Sequence, residues 1–142
     1  MQRVKRTTNE ISFVLDIDPP TTTAQQHRFG GYDKDGKAII YDSPKLKAAR
    51  RLLMDYLGFY APMEKMNGAL ELTVIWTFAV KDKKKWGKRK TTKPDTDNLQ
   101  KLLKDCMTRT YFWEDDAQVC REVIEKYWGE KGSIQITVRR LE

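Results

Sequence analysis

The chain has 142 residues, which is the length of one ordinary domain and enough to bury a core without disulfides. Its hydrophobic fraction of 39% and aromatic fraction of 11% argue against a disordered chain, and no apolar run reaches the ~20 residues that a membrane-spanning helix needs. Lys and Arg outnumber Asp and Glu by 27 to 20, and this net charge of +7 favours a polyanionic partner such as nucleic acid.

The start of the chain predicts one strand and one loop. Residues 1–6 are basic but no hydrophobic segment follows them, so we expect no secretory signal and a cytoplasmic protein. Alternation of apolar and polar side chains predicts a strand over residues 11–17, which Pro19 and Pro20 end. Residues 21–31 are polar and contain glycines, so we expect them to form a loop.

The middle of the chain predicts a short strand, a basic helix and a longer strand. The short strand is expected over residues 38–41. Ser43 followed by Pro44 is typical of a helix start, and we expect this helix to end near Phe59. Residues 70–80 show the clearest alternation in the sequence and predict a strand with partial cover on both faces.

A lysine-rich segment follows this strand and shows no period. Eight of the thirteen residues from 81 to 93 are Lys or Arg, so we expect a long mobile loop or a splayed hairpin tip. A solvated charge run is the simplest explanation, but a basic loop with a Trp is also suited to holding phosphates and stacking on a base. The candidate DNA-binding residues are Lys83, Lys84, Lys85, Trp86, Lys88, Arg89, Lys90, Lys93 and, in the earlier loop, Arg28.

The last part of the chain predicts a helix and two strands. Residues 97–100 have the form of a capping box with Asp97 as N-cap, and apolar residues at helical spacing continue to Thr110. Residues 118–128 fit a helical stripe or a two-sided strand, and residues 134–138 alternate as a strand; a hairpin of two strands is the economical interpretation. The order strand-helix-strand-helix-strand-strand predicts a single small domain, mixed α/β or α+β, with one mixed sheet covered by two helices.

Four acidic residues around this helix are candidate metal ligands. Asp95 and Asp97 follow Pro94 and are one residue apart, so in an extended segment their side chains would point the same way. Such carboxylates suit Mg²⁺ or Mn²⁺, which take oxygen ligands and keep several waters. Asp115 or Asp116 in the next loop could supply a third ligand. The simpler explanation, a capping Asp and a solvated acidic loop, is weakened by the basic segment that precedes them.

Two further features limit the chemistry of the site. The chain has a single His, and Cys106 and Cys120 are not spaced as a metal-binding pair, so zinc is not expected. Lys101 lies one helical turn after Asp97. It could stabilise the charge of a pentacovalent phosphate, or it could form only an i, i+4 ion pair with Asp97.

Two blocks of the sequence resemble the RusA family of Holliday junction resolvases, and their spacing fits the family without a gap. They are Pro94-Asp95-Thr96-Asp97-Asn98-Leu99-Gln100-Lys101 and Phe112-Trp113-Glu114-Asp115-Asp116-Ala117-Gln118-Val119. Lys126 is a further similarity, whereas the first half of the chain fits only in element order.

The resemblance implies a site and a reaction. Asp95, Asp97 and Asp116 would be the metal-binding catalytic carboxylates and Lys101 a catalytic lysine, with Glu114 and Asp115 behind them or as weaker ligands. Family members are small homodimers that use Mg²⁺ or Mn²⁺, and no small-molecule cofactor, to make paired nicks in four-way DNA junctions. The resemblance also implies that residues 118–128 form a strand, and it suggests a prophage origin.

The leading hypothesis is therefore a divalent-metal-dependent endonuclease that resolves four-way junctions in DNA recombination and repair, with two-fold symmetry placing two sites across one junction. One alternative is a non-catalytic module that binds DNA junctions or single strands and has structural carboxylates. Another is a nuclease that prefers flaps, replication forks or RNA. No membrane contact is expected.

Overall fold

A computed structural model describes residues 4–21 and 27–142, without the side chains of His27 and Arg28. The elements in chain order are β1 (Lys5–Arg6), β2 (Glu10–Leu15), β3 (His27–Tyr32), β4 (Ala38–Asp42), α1 (Pro44–Gly58), β5 (Leu70–Ala79), α2 (Thr96–Arg109), β6 (Val119–Gly129) and β7 (Ser133–Arg140). Short 3₁₀ turns lie at Lys83–Lys85 and Asp116–Gln118. None of the helices in the described ranges is long and apolar enough to cross a membrane.

One mixed sheet of five strands, in the order β1-β2-β7-β5-β6, forms the centre of the molecule. β7 is antiparallel to both β2 and β5, whereas β5 and β6 are parallel and are joined through α2. The predicted small domain with a mixed sheet and two main helices is therefore confirmed. β3 and β4 pair with each other in a separate two-stranded sheet.

The core lies on the face of the sheet that α1 and α2 cover. Alternate residues of β2, β5 and β7 are buried against the apolar stripes of the two helices, because successive strand side chains point to opposite faces. Cys106 in α2 is fully buried in this core. The opposite face is polar; there Glu71 pairs with both Arg121 and Arg139.

α1 begins as its sequence predicts. The side-chain oxygen of Ser43 accepts a hydrogen bond from the backbone N–H of Leu46 at 3.1 Å, and Pro44 occupies the first helical position. The helix ends at Gly58, with Phe59 as its C-cap, which confirms the expected end.

The loop predicted over residues 21–31 is partly wrong. Residues 27–32 form β3, which pairs with β4 through contacts such as Phe29 with Ile40. Phe29 and Tyr32 are exposed, so this strand lacks the alternation that a half-buried strand shows. Residues 22–26 of the predicted loop lie outside the described residues.

The predicted hairpin between the last two strands is also wrong. β6 and β7 are both strands, which confirms the strand implied for residues 118–128, but β5 lies between them in the sheet. Their connection passes over the end of β5, where the backbone N–H of Val80 bonds to the carbonyl of Gly129 at 3.0 Å. A Cβ at Gly132 would lie 2.1 Å from Oδ1 of Asp18, so only glycine fits this crossing.

Candidate functional site

Asp95 and Asp97 lie at the N-terminus of α2, in roles that differ from the prediction. Asp95 is the N-cap residue, with extended backbone angles of φ −72° and ψ 148°, and the helix starts at Thr96, which places Asp97 in its first turn. The capping box predicted at residues 97–100 is therefore wrong, as is the extended segment through Asp97. Gln100 is instead buried, and its Oε1 accepts a hydrogen bond from Nε1 of Trp76 at 3.3 Å.

Both carboxylates are exposed and lack protein partners. Asp95 makes no side-chain capping bond, and in the described part of the chain neither the carboxylate of Asp95 nor that of Asp97 forms a hydrogen bond or ion pair. The partial positive charge at a helix N-terminus favours negative groups there. Lys101 is exposed one turn later, and the described residues show no ion pair between it and Asp97, so the simple i, i+4 pair does not form.

Two lysines, which we call the lysine clamp, hold the segment that leads to Asp95. Nζ of Lys126 donates to the carbonyl oxygens of Thr92 and Pro94, each at 2.7 Å. Nζ of Lys90 donates to the carbonyl of Thr92 at 3.1 Å and also to that of Lys93. These bonds fix the backbone immediately before Asp95. Those of Lys126 join residues far apart in the sequence and are visible only in the tertiary structure.

Lys90 differs from the other lysines of its segment because it is turned inward. It is only 7% exposed, and its Nζ lies 4.9 Å from the ring centroid of Phe78 and 4.8 Å from that of Trp128. Burial, with a smaller effect of the nearby Lys126 charge, lowers the pKa of Lys90 below its usual value. The prediction that Lys90 belongs to the DNA-binding set does not fit this position.

The second acidic group consists of Glu114, Asp115 and Asp116 and lies in the turn before β6. The three side chains differ in the contacts that they make. Glu114 pairs with Lys65 at 2.6 Å. Asp115 caps the 3₁₀ turn by accepting from the backbone N–H of Ala117 at 2.9 Å, and Gln118 completes a capping box with it. Asp116 is exposed, and within the described ranges its carboxylate forms no hydrogen bond or ion pair.

Buried aromatic residues anchor this turn. Phe112 and Trp113 are fully buried, and Nε1 of Trp113 donates to Oγ1 of Thr108 at 2.7 Å. The side-chain amide of Gln118 donates to the carbonyl of Met66 at 3.0 Å. Asp116 therefore projects from a turn that is tied to the core.

The two acidic groups lie at opposite ends of α2. Gln100 bonds to Trp76, which lies opposite Lys126 in the β5–β6 ladder, whereas Lys104 pairs with Glu122, earlier in β6. α2 thus runs from the end of β6 back to its start, and its 14 residues span ~21 Å. Among the described residues, no group of three His, Cys, Asp or Glu side chains comes together as a metal site.

The carboxylates of a single chain therefore fit a hard cation only in part. Mg²⁺ is commonly held by one or two carboxylates together with waters and substrate phosphates, and Asp95 with Asp97 offers such a set. Asp116 cannot join them across the length of α2 within the same chain. The structure brings two of the three predicted ligands to one place and leaves the third elsewhere.

The basic segment of residues 81–93 lies along the outer edge of β6. It contains the 3₁₀ turn Lys83–Lys85, and its later part exchanges backbone hydrogen bonds with Lys126 and Trp128. Nε1 of Trp86 donates to the carbonyl of Val80 at 2.8 Å, which holds that ring half-buried against the segment's own start. The mobility of the segment of residues 81–93 stays a prediction.

The exposed cations of this segment from residue 83 onward, which we call the basic edge, are Lys83, Lys84, Lys85, Lys88, Arg89 and Lys93. Three of them lie over aromatic rings: Lys83 at 6.0 Å from the centroid of Trp86, Lys85 at 5.6 Å from that of Trp128 and Arg89 at 5.2 Å from that of Tyr127. Lys93 is two residues before Asp95, so the basic edge leads directly to the first acidic group. Arg28 is described only as backbone in β3, and its predicted DNA contact lies outside the described side chains.

Comparison with known proteins places these features in one family. The family model described as Endodeoxyribonuclease RusA matches residues 18–139, which include both acidic groups, the lysine clamp and the basic edge. A protein of Lactococcus phage r1t, named crossover junction endodeoxyribonuclease rusA, is 34% identical over 131 residues, covering 91% of this chain and 97% of its own length. The uncharacterized protein YqaN of Bacillus subtilis (strain 168) is 26% identical over 127 residues, covering 82% of this chain and 89% of its own. The chain belongs to the RusA family of endodeoxyribonucleases.

Proposed function

We propose that the chain is a divalent-metal-dependent endonuclease that cuts four-way DNA junctions by paired nicks during recombination and repair. One observation carries this proposal: two exposed carboxylates, which have no partner among the described residues, stand at the N-terminus of α2, directly beside the basic edge. The name of the phage r1t relative supports a junction as the substrate. The phage source of that relative also supports a phage-derived origin. A homodimer that acts inside the cell is a further part of the proposal.

The proposed metal ligands are Asp95, Asp97 and Asp116, the last coming from the other subunit of the homodimer because it lies at the far end of α2 in its own chain. A Mg²⁺ or Mn²⁺ ion held by them would supply an activated water and neutralise charge on the non-bridging phosphate oxygens. The lysine clamp occupies the carbonyl oxygens of residues 92–94, so that this segment presents carboxylates at a fixed position. No small-molecule cofactor is needed for this reaction.

Other side chains of the site would act on the DNA itself. Lys101 is exposed one turn after Asp97, where its ammonium would stabilise the extra negative charge of the pentacovalent phosphate. The basic edge would hold the backbone phosphates on either side of the cut. Trp86 would stack on a base at a frayed junction arm, and Arg28 would add a phosphate contact.

A cleavage assay on a synthetic four-way junction tests this function. We expect paired nicks that need Mg²⁺ or Mn²⁺ and stop with a chelator. Asp97→Asn should lose at least ~10²-fold in cleavage rate while it still binds the junction, since a lost ligand removes the metal but not the basic edge. Retained cleavage in this variant would contradict the metal assignment.

The same assay separates the competing functions. A protein that binds the junction tightly but leaves it intact with either metal is a binding module and not a nuclease. Rates on flap, fork, plain duplex and RNA substrates of equal length show whether the junction is preferred. Faster cleavage of any of these than of the junction would reassign the substrate.

A further inference from the structure

A cleft opens beside the segment that leads to Asp95. Its walls come from the ends of β5 and β6, from the residues that follow β2 and from the last residues before α2. Its volume is about 420 Å³, within the ~300–1,000 Å³ range of pockets that hold small organic groups. We call it the Trp128 cleft; the lining residues that matter here are Asp18, Pro19, Phe78, Lys93, Pro94 and Trp128. Pro94 immediately precedes Asp95, so the cleft borders the proposed metal site.

The walls of the Trp128 cleft are apolar. Pro19, Phe78 and Pro94 are buried, and Trp128 is half-buried. The ammonium of Lys90 also borders the cleft, but it has three N–H donors and three acceptors inside the fold, which are the carbonyl and hydroxyl oxygens of Thr92 and the carbonyl oxygen of the next residue. The cleft therefore presents rings and methylene groups to a ligand, and no buried charge that needs a partner.

Two polar side chains lie at the rim of the cleft. Asp18 and Lys93 are exposed, and within residues 4–21 and 27–142 neither side chain forms a hydrogen bond or an ion pair. A ligand that matches walls and rim together has a flat apolar ring, a polar edge and an attached anion. A nucleotide has this form, because its base offers two apolar faces and a hydrogen-bonding edge, and its phosphate attracts a lysine.

We propose that the Trp128 cleft receives one unpaired nucleobase of the DNA strand that is cut, next to the scissile phosphate. The inference rests on the proposed function, since a metal at Asp95 and Asp97 is what places the cut beside the cleft. The base packs between Trp128 and Pro94, its edge faces the carboxylate of Asp18, and its phosphate faces Lys93.

This site gives the protein a physical reason to prefer branched DNA. A base inside a duplex must be unpaired and unstacked before it can enter the cleft, which costs free energy, whereas a base at a branch point or a frayed end leaves the stack at lower cost. The basic edge contacts phosphates and cannot make this distinction, because every DNA strand carries them. The cleft therefore contributes selection for DNA structure, and the basic edge contributes affinity.

An abasic scan of the junction tests the site on the wild-type protein. Binding is measured by fluorescence anisotropy with a chelator present, so that no strand is cut, on junctions that each lack one base near the branch point. Loss of the base next to the nick that is mapped with Mg²⁺ should weaken binding about 10-fold, as expected when one base loses its aromatic partner. Loss of the base at the same distance on an uncut strand is the matched control. Equal affinities for the two junctions overturn the proposal.

Substitution of the aromatic wall tests which residue holds the base. Trp128→Leu keeps an apolar side chain but removes the ring, so it should bind the intact junction about as weakly as the wild type binds the abasic one, and should no longer distinguish the two. Tyr127→Leu is the control, since that ring lies outside the cleft, under Arg89, on the other face of β6. If Trp128→Leu distinguishes the junctions as well as Tyr127→Leu does, the assignment is wrong.

Photocrosslinking locates the base without any substitution in the protein. A junction with 5-iodouracil at the position found by the scan should crosslink to Trp128, identified by mass spectrometry of the tryptic peptide. Crosslinking only to Trp86 would place the base on the basic segment and overturn the cleft as its site.

The outcomes separate this inference from the proposed function. If the wild type cuts the junction but its binding is insensitive to every abasic position, the base site is wrong and the nuclease stands. If its binding depends on one base and the crosslink reaches Trp128, but no strand is cut with Mg²⁺ or Mn²⁺, the cleft is a base site and the proposed function fails. If the wild type does not bind the junction, both fail.

Discussion

Among single residues, burial decides what each lysine near the site can do. Lys90 is 7% exposed and directs its ammonium at backbone carbonyls, whereas Lys88 and Lys93 in the same segment are exposed. A buried ammonium needs hydrogen-bond acceptors because its desolvation is otherwise costly. The lysine clamp therefore orders the backbone before Asp95, and the exposed neighbours are the lysines that we propose to contact phosphates.

We expect Lys126→Met to weaken metal binding rather than DNA binding. The change removes two hydrogen bonds, to the carbonyls of Thr92 and Pro94, and releases the segment that positions Asp95. Loss of a group that orients a ligand typically costs 10–100-fold in metal affinity, and we expect about that loss in Mn²⁺ titration calorimetry. Lys131→Met, at an exposed lysine beyond β6, should leave the affinity unchanged. Equal effects of the two substitutions would argue against the clamp.

The two cysteines should differ sharply in reactivity. Burial raises the pKa of the Cys106 thiol to about 12, whereas Cys120 is exposed. At pH 8, a thiol reagent should label one cysteine per native chain and two per unfolded chain. Because the raised pKa keeps Cys106 neutral in the fold, its contribution to stability is full below pH ~9 and is lost as the pH rises towards 12. Rapid labelling of Cys106 in the native state would contradict its burial.

Among secondary-structure elements, β6 links the parts of the site. Its end contacts the basic segment and, through Lys126, the start of α2; its own start follows the acidic turn. α2 is amphipathic, with one face in the core and its N-terminus open to solvent. The site is therefore built from the ends of elements whose middles are fixed by the core.

Removing charge from the basic edge should flatten the salt dependence of junction binding. Lys83, Lys84 and Lys88 are exposed there, and replacing each phosphate-binding lysine by Ala should reduce the slope of log affinity against log salt by about 0.9. The matched control replaces Lys45, Lys47 and Arg51, three exposed cations of α1, by Ala. If both triple variants show the same slope, the basic edge has no special role in holding DNA.

At the scale of the whole molecule, the proposed function requires two cuts in one junction. In the proposed dimer, wild type mixed with Asp97→Asn keeps one complete site and one that lacks a ligand. We expect such mixed dimers to nick a cruciform plasmid without linearising it, because the second strand is not cut within the lifetime of the complex. Wild type mixed with Asp115→Asn should still linearise the plasmid, since Asn also serves as a helix cap. Linear product from the first mixed dimer, purified away from wild-type homodimers, would mean that one site makes both cuts.

Local chemistry explains which predictions succeeded. Ser43 with Pro44 determined a helix start, and the alternation over residues 70–80 determined β5, because each depends only on neighbours in the chain. β3 was missed because both of its aromatic residues are exposed and its stability depends on pairing with β4. The local pattern predicts a capping box at residues 97–100, but the box that forms is at residues 115–118. Gln100 does not complete the predicted box because its side chain is buried and accepts a hydrogen bond from Trp76.

The sequence by itself determined the two acidic groups, the basic segment between strand and helix, and the family that their spacing resembles. These are properties of residue type and short-range order, and the family is confirmed. Only the tertiary structure decided which strands are neighbours, which lysine is buried, and that α2 holds Asp116 away from Asp95 and Asp97. The physical reason is that pairing, burial and distance across a fold depend on contacts between residues far apart in the chain, which no local pattern encodes.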